Sequence, residues 1–230
     1  SLSGVSHLAL EVSSHAIDQC RINSIDFNSA CFTNLSLDHL DYHNSLENYS
    51  NVKFSLFKNI LPMDRTSVIC TESKEGKDFS KALKLLNKKA MEIGKNSEFI
   101  NIESVKKYDS GNEVEITFQG EPFKFILGFA PYFQILNILC AAGLAIVSGC
   151  NYKEVFSVLE KIEPVKGRYE IIKSNNYSNI IIDYAHTPEA LSYVLRDIKK
   201  ESTGKVVLVF GCGGSRDQSK RPLMGRVAEK

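Results

Sequence analysis

T-N-L-S-L-D-H-L-D-Y-H-N-S-L-E-N-Y-S-N-V-K-F-S-L-F, residues Thr33 to Phe57, follows the short apolar run Ala30-Cys31-Phe32. The apolar run reads as the carboxyl end of a buried strand. Ser45 with Glu47 and Asn48 opens a helix that runs to about Ile60, where Pro62 ends it. Strand, polar loop and helix make one α/β unit. The loop places Asp38, His39, Asp41 and His43 within six residues, enough for three quarters of a metal shell on one turn, and Lys53 stands fourteen residues past His39. Carboxylates and imidazoles at the mouth of a parallel sheet are where an α/β enzyme holds a divalent cation beside a phosphate. A solvated loop rich in Asp and His is the other reading of the same spacing.

Upstream, Val5–Val12 alternates and then turns apolar, which predicts a strand with Glu11 at its carboxyl end. Ser13 and Ser14 suit the cap of a short helix over Ala16–Cys20, with Gln19 and Arg21 projecting from its end. Downstream, Ile25–Asn34 and Ser67–Cys70 read as strands, and Lys77–Ile93 as an amphipathic helix striped by Phe79, Leu83, Leu86, Ala90 and Ile93. Glu98–Ile102, Glu113–Phe118 and Phe123–Leu127 are short strands, the last two a hairpin about Gly120-Glu121. Tyr132–Val147 is the most apolar helix and carries Gln134 and Asn137 on one face, two amides for which a ligand is a natural partner. A further helix, Tyr152–Ile162, ends at Pro164.

Gly167-Arg168 reads as a joint, so the predicted division is residues 1–166 and 167–230. The second piece repeats the α/β pattern. A strand over Asn179–Asp183 leads to Thr187 as N-cap and Pro188 at the first helical position, with the helix reaching about Lys200. Lys205–Phe210 is a continuous apolar strand followed by Gly211-Cys212-Gly213-Gly214 and Ser215-Arg216-Asp217. That order resembles a dinucleotide-binding element without the full glycine pattern.

Bulk properties exclude several classes. A net charge of +1 with no long Lys/Arg run gives no nucleic-acid or anionic-membrane footprint. The six cysteines lack C-x-x-C spacing and read as core residues of a protein in a reducing compartment. No apolar run reaches membrane-spanning length. The chain opens without Met and closes inside a helix-like pattern, as expected of a piece of a longer protein.

Six ordered motifs carry a resemblance: E-V-S-S-H at Glu11–His15, T-N-L-S-L-D-H-L-D-Y-H at Thr33–His43, E-N-Y-S-N-V-K at Glu47–Lys53, G-R-Y-E at Gly167–Glu170, D-Y-A-H-T-P at Asp183–Pro188 and F-G-C-G-G-S-R-D-Q-S-K-R-P-L-M-G-R at Phe210–Arg226. With them the chain resembles the Mur ligases, in particular those adding the third amino acid to UDP-N-acetylmuramoyl-L-alanyl-D-glutamate in peptidoglycan precursor synthesis. The G-C-G-G-S-R-D form is similar to the meso-diaminopimelate-adding branch more than to the lysine-adding one.

The resemblance implies an α/β fold. A central ATPase domain with a mostly parallel sheet would be followed by the first half of a Rossmann-like C-terminal domain. It implies a cytoplasmic, monomeric, ATP-dependent ligase working through an acyl phosphate. Glu11, His39 and Lys53 would hold Mg2+, with Lys53 carbamylated; Lys53 and His39 would be catalytic. Carbamylation needs the neutral amine, hence a shielded site and neighbours that lower the lysine pKa. Asn137, Arg168, Asp183 and His186 would contact ATP. Ser13, Gln19 and Arg21 would hold the nucleotide-linked dipeptide, and Arg216 the incoming diamino acid.

The departures are informative. Pro131 stands where the family has Gly, and Ser215 where it has Asp. No G-x-x-x-x-G-K-[ST] occurs, so the phosphate-cradling loop is expected upstream of Ser1, along with the uridine-binding part. The amino-acid recognition motif is expected past Lys230, and the piece is expected to be inactive alone. Within the same group, a folylpolyglutamate synthetase, a lysine-adding or a dipeptide-adding ligase is the nearest alternative. A non-catalytic nucleotide-binding module is a different class, and a Rossmann dehydrogenase is a third.

Overall fold

The computed structural model describes residues 4–108, 111–128, 130–173, 179–213 and 218–229. The first elements in chain order are α1 (Ser14–Asp18), β1 (Ser29–Phe32), α2 (Leu40–His43) and α3 (Leu46–Ser55), which continues as one π-helical turn over Leu56–Ile60. Next come β2 (Thr66–Cys70), α4 (Lys74–Leu85), β3 (Lys89–Gly94), β4 (Ile100–Tyr108), β5 (Gly111–Phe118) and β6 (Glu121–Leu127). After them follow α5 (Tyr132–Val147), α6 (Tyr152–Ser157) and a 3-10 turn at Leu159–Lys161. The last four are β7 (Glu170–Lys173), β8 (Asn179–Ile182), α7 (Pro188–Glu201) and α8 (Lys220–Ala228).

Six strands form one sheet in the order β1-β2-β3-β4-β5-β6. The first four pair in parallel, and β4-β5-β6 form an antiparallel meander. The sheet is covered on both faces. Val68 and Cys70 of β2 pack with α5 residues Ile135, Leu139 and Cys140, while Ile69 between them faces the cluster of Phe57, Phe79 and Leu83. Period-2 alternation with both faces apolar is the mark of a parallel strand inside an α/β layer. The hairpin from β5 to β6 turns at Gln119 and Gly120, both at positive φ, the geometry of a tight two-residue loop. No helix among the described residues is long and apolar enough to cross a membrane.

The mixed α/β architecture with a mostly parallel sheet is as the sequence predicts, and α5 has the predicted bounds. Three elements differ. The stretch Lys77–Ile93 is not one helix: α4 stops at Leu85, Asn87 takes a left-handed φ of 57°, and Lys89–Gly94 pairs in parallel with β2. A left-handed residue ends a helix whatever the apolar stripe beyond it. Val5–Val12 forms no strand, and Val5, Leu8 and Leu10 are exposed. Lys205–Phe210 forms none either: Val206 and Leu208 pack with Leu191, Leu195 and Met224, while Val207 and Val209 face outward. Both stretches carry a strand-like sequence, but no described strand pairs with either. Among the described residues the second piece consists of the antiparallel pair β7-β8 with α7 and α8.

Gly76 sits in the first turn of α4, where a Cβ would meet the Cys70 carbonyl oxygen at 1.9 Å. Backbone cannot yield as a side-chain tip can, so Gly76→Ala is expected to lower unfolding free energy by about 2–3 kcal/mol, read from the denaturant midpoint.

Candidate active site

The loop after β1 is shaped by two left-handed residues. His39 (φ 58°) precedes α2 and Asn44 (φ 63°) follows it. This short helix is tied to α1 from beneath: the Nε2 of buried His43 lies 2.9 Å from the Ser14 hydroxyl, and the His43 ring stacks on Tyr49 at 5.2 Å. Burial pushes the His43 pKa down, and with Nε2 engaged by Ser14 the ring serves as a packing residue rather than the ligand its spacing suggested. Asp41 faces solvent.

His39 and Lys53 both lie against the Tyr49 ring, His39 edge-on at 5.9 Å. Lys53 comes from α3; its Nζ donates to the Asn34 carbonyl at 3.4 Å and lies 5.1 Å from the Tyr49 ring centroid. Burial lowers the Lys53 pKa, while Asp38 and Glu11 pull it back up. The lowered basicity is as the sequence predicts; its cause is desolvation, because the nearby charges work in the opposite direction. Burial likewise lowers the His39 pKa against the pull of Asp38. Tyr49 is pushed up to about 12 by burial and the Asp38 charge.

Asp38 is 7% exposed and collects the basic groups of both halves of the chain. Its carboxylate lies 3.6 Å from His39 Nε2, 3.3 Å from His186 Nε2 and 3.4 Å from Lys220 Nζ. It also accepts the His39 backbone N–H at 2.9 Å. Burial alone would raise its pKa; His39, its N–H, Lys220 and His186 outweigh that and hold the carboxyl below its ordinary value.

A second cluster lies at the joint. Gly167 takes a φ of 71°, and its N–H donates to Glu170 at 2.7 Å. The Arg168 guanidinium sits 4.3 Å over the Tyr184 ring. The two oxygens of Asp183 accept the N–H groups of Tyr169 and Ala185, each at 2.8 Å, so this carboxylate fixes the backbone just after Arg168 and just before His186. Phe133 of α5 meets the Tyr169 ring edge-on at 6.3 Å. Asn137, one turn along the same face, is exposed, with its Nδ2 3.5 Å from Gln134 Oε1.

The Mur ligase middle domain matches residues 2–145, and the Mur ligase glutamate ligase domain matches residues 167–230. The chain belongs to the Mur ligase family. The UDP-N-acetylmuramoyl-L-alanyl-D-glutamate–2,6-diaminopimelate ligase of Rhizobium meliloti (strain 1021) is 37% identical over 99% of the chain and 47% of its own length. This Mur ligase chain thus spans about half the length of the curated relatives it matches. A solved structure of a ligase of the same name aligns with a TM-score of 0.68 at 29% identity, over 95% of this chain and 45% of the other. The MurF ligase of Thermotoga maritima in complex with ADP aligns with a TM-score of 0.66 at 18% identity, over 80% and 42%, a likeness of fold alone.

Within the Mur ligase chain, Lys53 is near enough to Asp38 and Glu11 for their charges to raise its pKa, and Arg168, Asp183 and His186 lie together at the joint. His186 bridges the two groups through Asp38. Ser13 is spent in part on capping α1, its hydroxyl accepting from Ala16 at 3.2 Å, while Gln19 and Arg21 stand at the other end of that helix. Arg216 lies outside the described residues. Of the two residues that make the bridge, Asp38 stood out in the sequence as one of the four Asp and His side chains of the loop, whereas Lys220 was visible only as a member of a motif and nothing local marked it.

Among the described residues no group of three His, Cys, Asp or Glu side chains is placed to hold a metal. The set expected from the sequence, Glu11, His39 and Lys53, includes an ammonium, which cannot ligate. With a carbamate on Lys53, whose amine is already made less basic, the set offers oxygens and one imidazole. That fits a hard cation completed by phosphate oxygens and water rather than a closed protein cage.

Asp38→Asn removes the charge that holds His186 and Lys220. Trypsin cleavage in the exposed joint at Lys166 and Arg168 is expected to quicken about tenfold, followed by gel or mass spectrometry, from losing roughly 1.4 kcal/mol of pairing.

Proposed function

We propose that the protein is an ATP-dependent acid–amino-acid ligase. Its reaction adds meso-diaminopimelate to UDP-N-acetylmuramoyl-L-alanyl-D-glutamate in cell-wall precursor synthesis, and this chain supplies most of the central ATPase domain and the first half of the C-terminal domain. The observation that carries the reading is the buried Asp38 carboxylate, which gathers His39 from the first piece and His186 and Lys220 from the second at one point. Two anions, a phosphoryl group and a substrate carboxylate, must be brought together there, and that calls for cations from both sides. Sequence identity of 37% with a ligase of that name over nearly the whole chain supports the substrate assignment.

In the proposed reaction a substrate carboxylate oxygen bonds to the γ-phosphorus of ATP as the bond to ADP breaks. The amine nitrogen then bonds to the acyl carbon, phosphate leaves, and the amine gives up a proton. Mg2+, held by Glu11, His39 and a carbamate on Lys53, would neutralise charge on the transferring phosphoryl group. Arg168 and Asn137 take the nucleotide from opposite sides of the joint, with Asp183 setting the backbone that carries Arg168 and His186. Gln19, Arg21 and Ser13 face the muramoyl peptide, and Arg216 grips the carboxylate of the diamino acid in a bidentate way. Residues 1–166 and 167–230 act as two units whose closure completes the site. The protein works as a monomer in the cytoplasm.

In the full-length protein, Lys53→Ala is expected to lower kcat by roughly 10²–10³-fold, with partial rescue by a short-chain carboxylic acid and complete loss of ligation on chelation of Mg2+. Amino-acid-dependent phosphate release is the measurement. A fully active Lys53→Ala protein would refute the site.

A further inference from the structure

We infer that Tyr42 is a positioning residue that orients Gln19 and Arg21 toward an anionic group of the substrate and ties them to the His39 loop; this rests on the function proposed above. The Tyr42 hydroxyl donates to Asp18 Oδ2 at 2.7 Å and accepts from Gln19 Nε2 at 3.2 Å. With its amide nitrogen held by Tyr42, Gln19 turns Oε1 toward Arg21, whose Nη2 donates to it. Each member of the row Arg21, Gln19, Tyr42 thus donates one hydrogen bond to the next, and the row ends on the Asp18 carboxylate. A guanidinium has five N–H donors in a planar fork. One directed contact fixes the plane of Arg21, which is exposed, and leaves other donors for a carboxylate or phosphate.

The second half of the inference is where Tyr42 stands. It lies in α2, which begins directly after His39, and its ring packs 4.2 Å from His15, itself edge-on to His39 at 4.9 Å. One hydroxyl thus joins the end of α1 to the loop that carries His39. A purely structural staple between α1 and α2 already exists on the buried side, in the bond between His43 and Ser14. The Tyr42 hydroxyl, on the exposed side, is not needed for that docking. Its bonds constrain only the side chains of Asp18 and Gln19, and through Gln19 that of Arg21.

Steady-state kinetics of the full-length protein decide the matter. Tyr42→Phe keeps the ring and removes the hydroxyl. The KM for the nucleotide-linked dipeptide is expected to rise about five- to tenfold, with kcat and the KM for ATP within about twofold of wild type and an unchanged Tm. Gln19→Ala should give a similar rise, and the double variant should be no worse than Gln19→Ala alone, since both remove one row of contacts. An unshifted dipeptide KM overturns the inference, as do additive effects in the double variant. A fall in kcat and Tm together would make Tyr42 a staple and overturn it equally. Should Tyr42→Phe fail to fold, Asp18→Asn must reproduce the KM rise for the inference to stand. A wild-type protein without ATP-dependent ligation refutes the proposed function and takes this inference with it; normal ligation with an unshifted variant KM refutes only the role of Tyr42.

Discussion

A carboxylate withdrawn from water must be met by positive charge or strong donors, or it gives up its own charge. Asp38 satisfies that requirement with an imidazole and a backbone N–H from its own loop, and with an imidazole and an ammonium from residues almost 150 positions or more further along. Much else in the region follows from it. The Asp38 charge opposes the loss of basicity at Lys53 and His39 and helps to push Tyr49 up. It also gives the second piece a fixed point of contact beyond the Gly167 joint. A surface ion pair contributes little, but a pair on a nearly buried carboxylate is costly to break on one side only.

The parallel sheet makes this possible by bringing loops to one end. β1 delivers the His39 loop, and the crossing through α3 returns the chain to β2 while setting Lys53 over the same end. α5 lies across β1, β2 and β3 and places Phe133 against Tyr169, so the joint begins where the sheet's covering helix ends. Packing therefore dictates which residues meet. The chemistry is carried by loops that the packed layers hold in register.

Much of this was legible in the sequence where a local signal decided the structure. Ser13, Ser45 and Thr187 cap their helices as their residue types and spacing suggest, and Gly120 turns its hairpin. What failed were readings that needed a partner. Val5–Val12 alternates and Lys205–Phe210 is continuously apolar, as strands can be, yet a strand exists only where a neighbour supplies hydrogen bonds, and none of the described strands pairs with them. The run from Phe79 to Ile93 kept helical spacing across a boundary that only the backbone of Asn87 reveals. At the site, spacing named His43 beside His39 but could not show that His39 meets Asp38 while His43 packs beneath. The row through Tyr42 joins residues 23 and 24 positions apart, a pairing with no local signature.

The two left-handed residues bracketing α2 bear on how the molecule folds. His39 and Asn44 each hold a backbone conformation that costs a non-glycine residue of order 1 kcal/mol, and a four-residue helix cannot offset that by itself. Contacts from elsewhere in the chain make the arrangement favourable, among them His43 with Ser14 and Tyr42 with Asp18, 29 and 24 residues apart, and closing such spans carries its own entropy. The His39 loop should therefore take shape late in folding and be among the first segments to open in native-state hydrogen exchange. Order at the site then reports that the surrounding layers are already assembled.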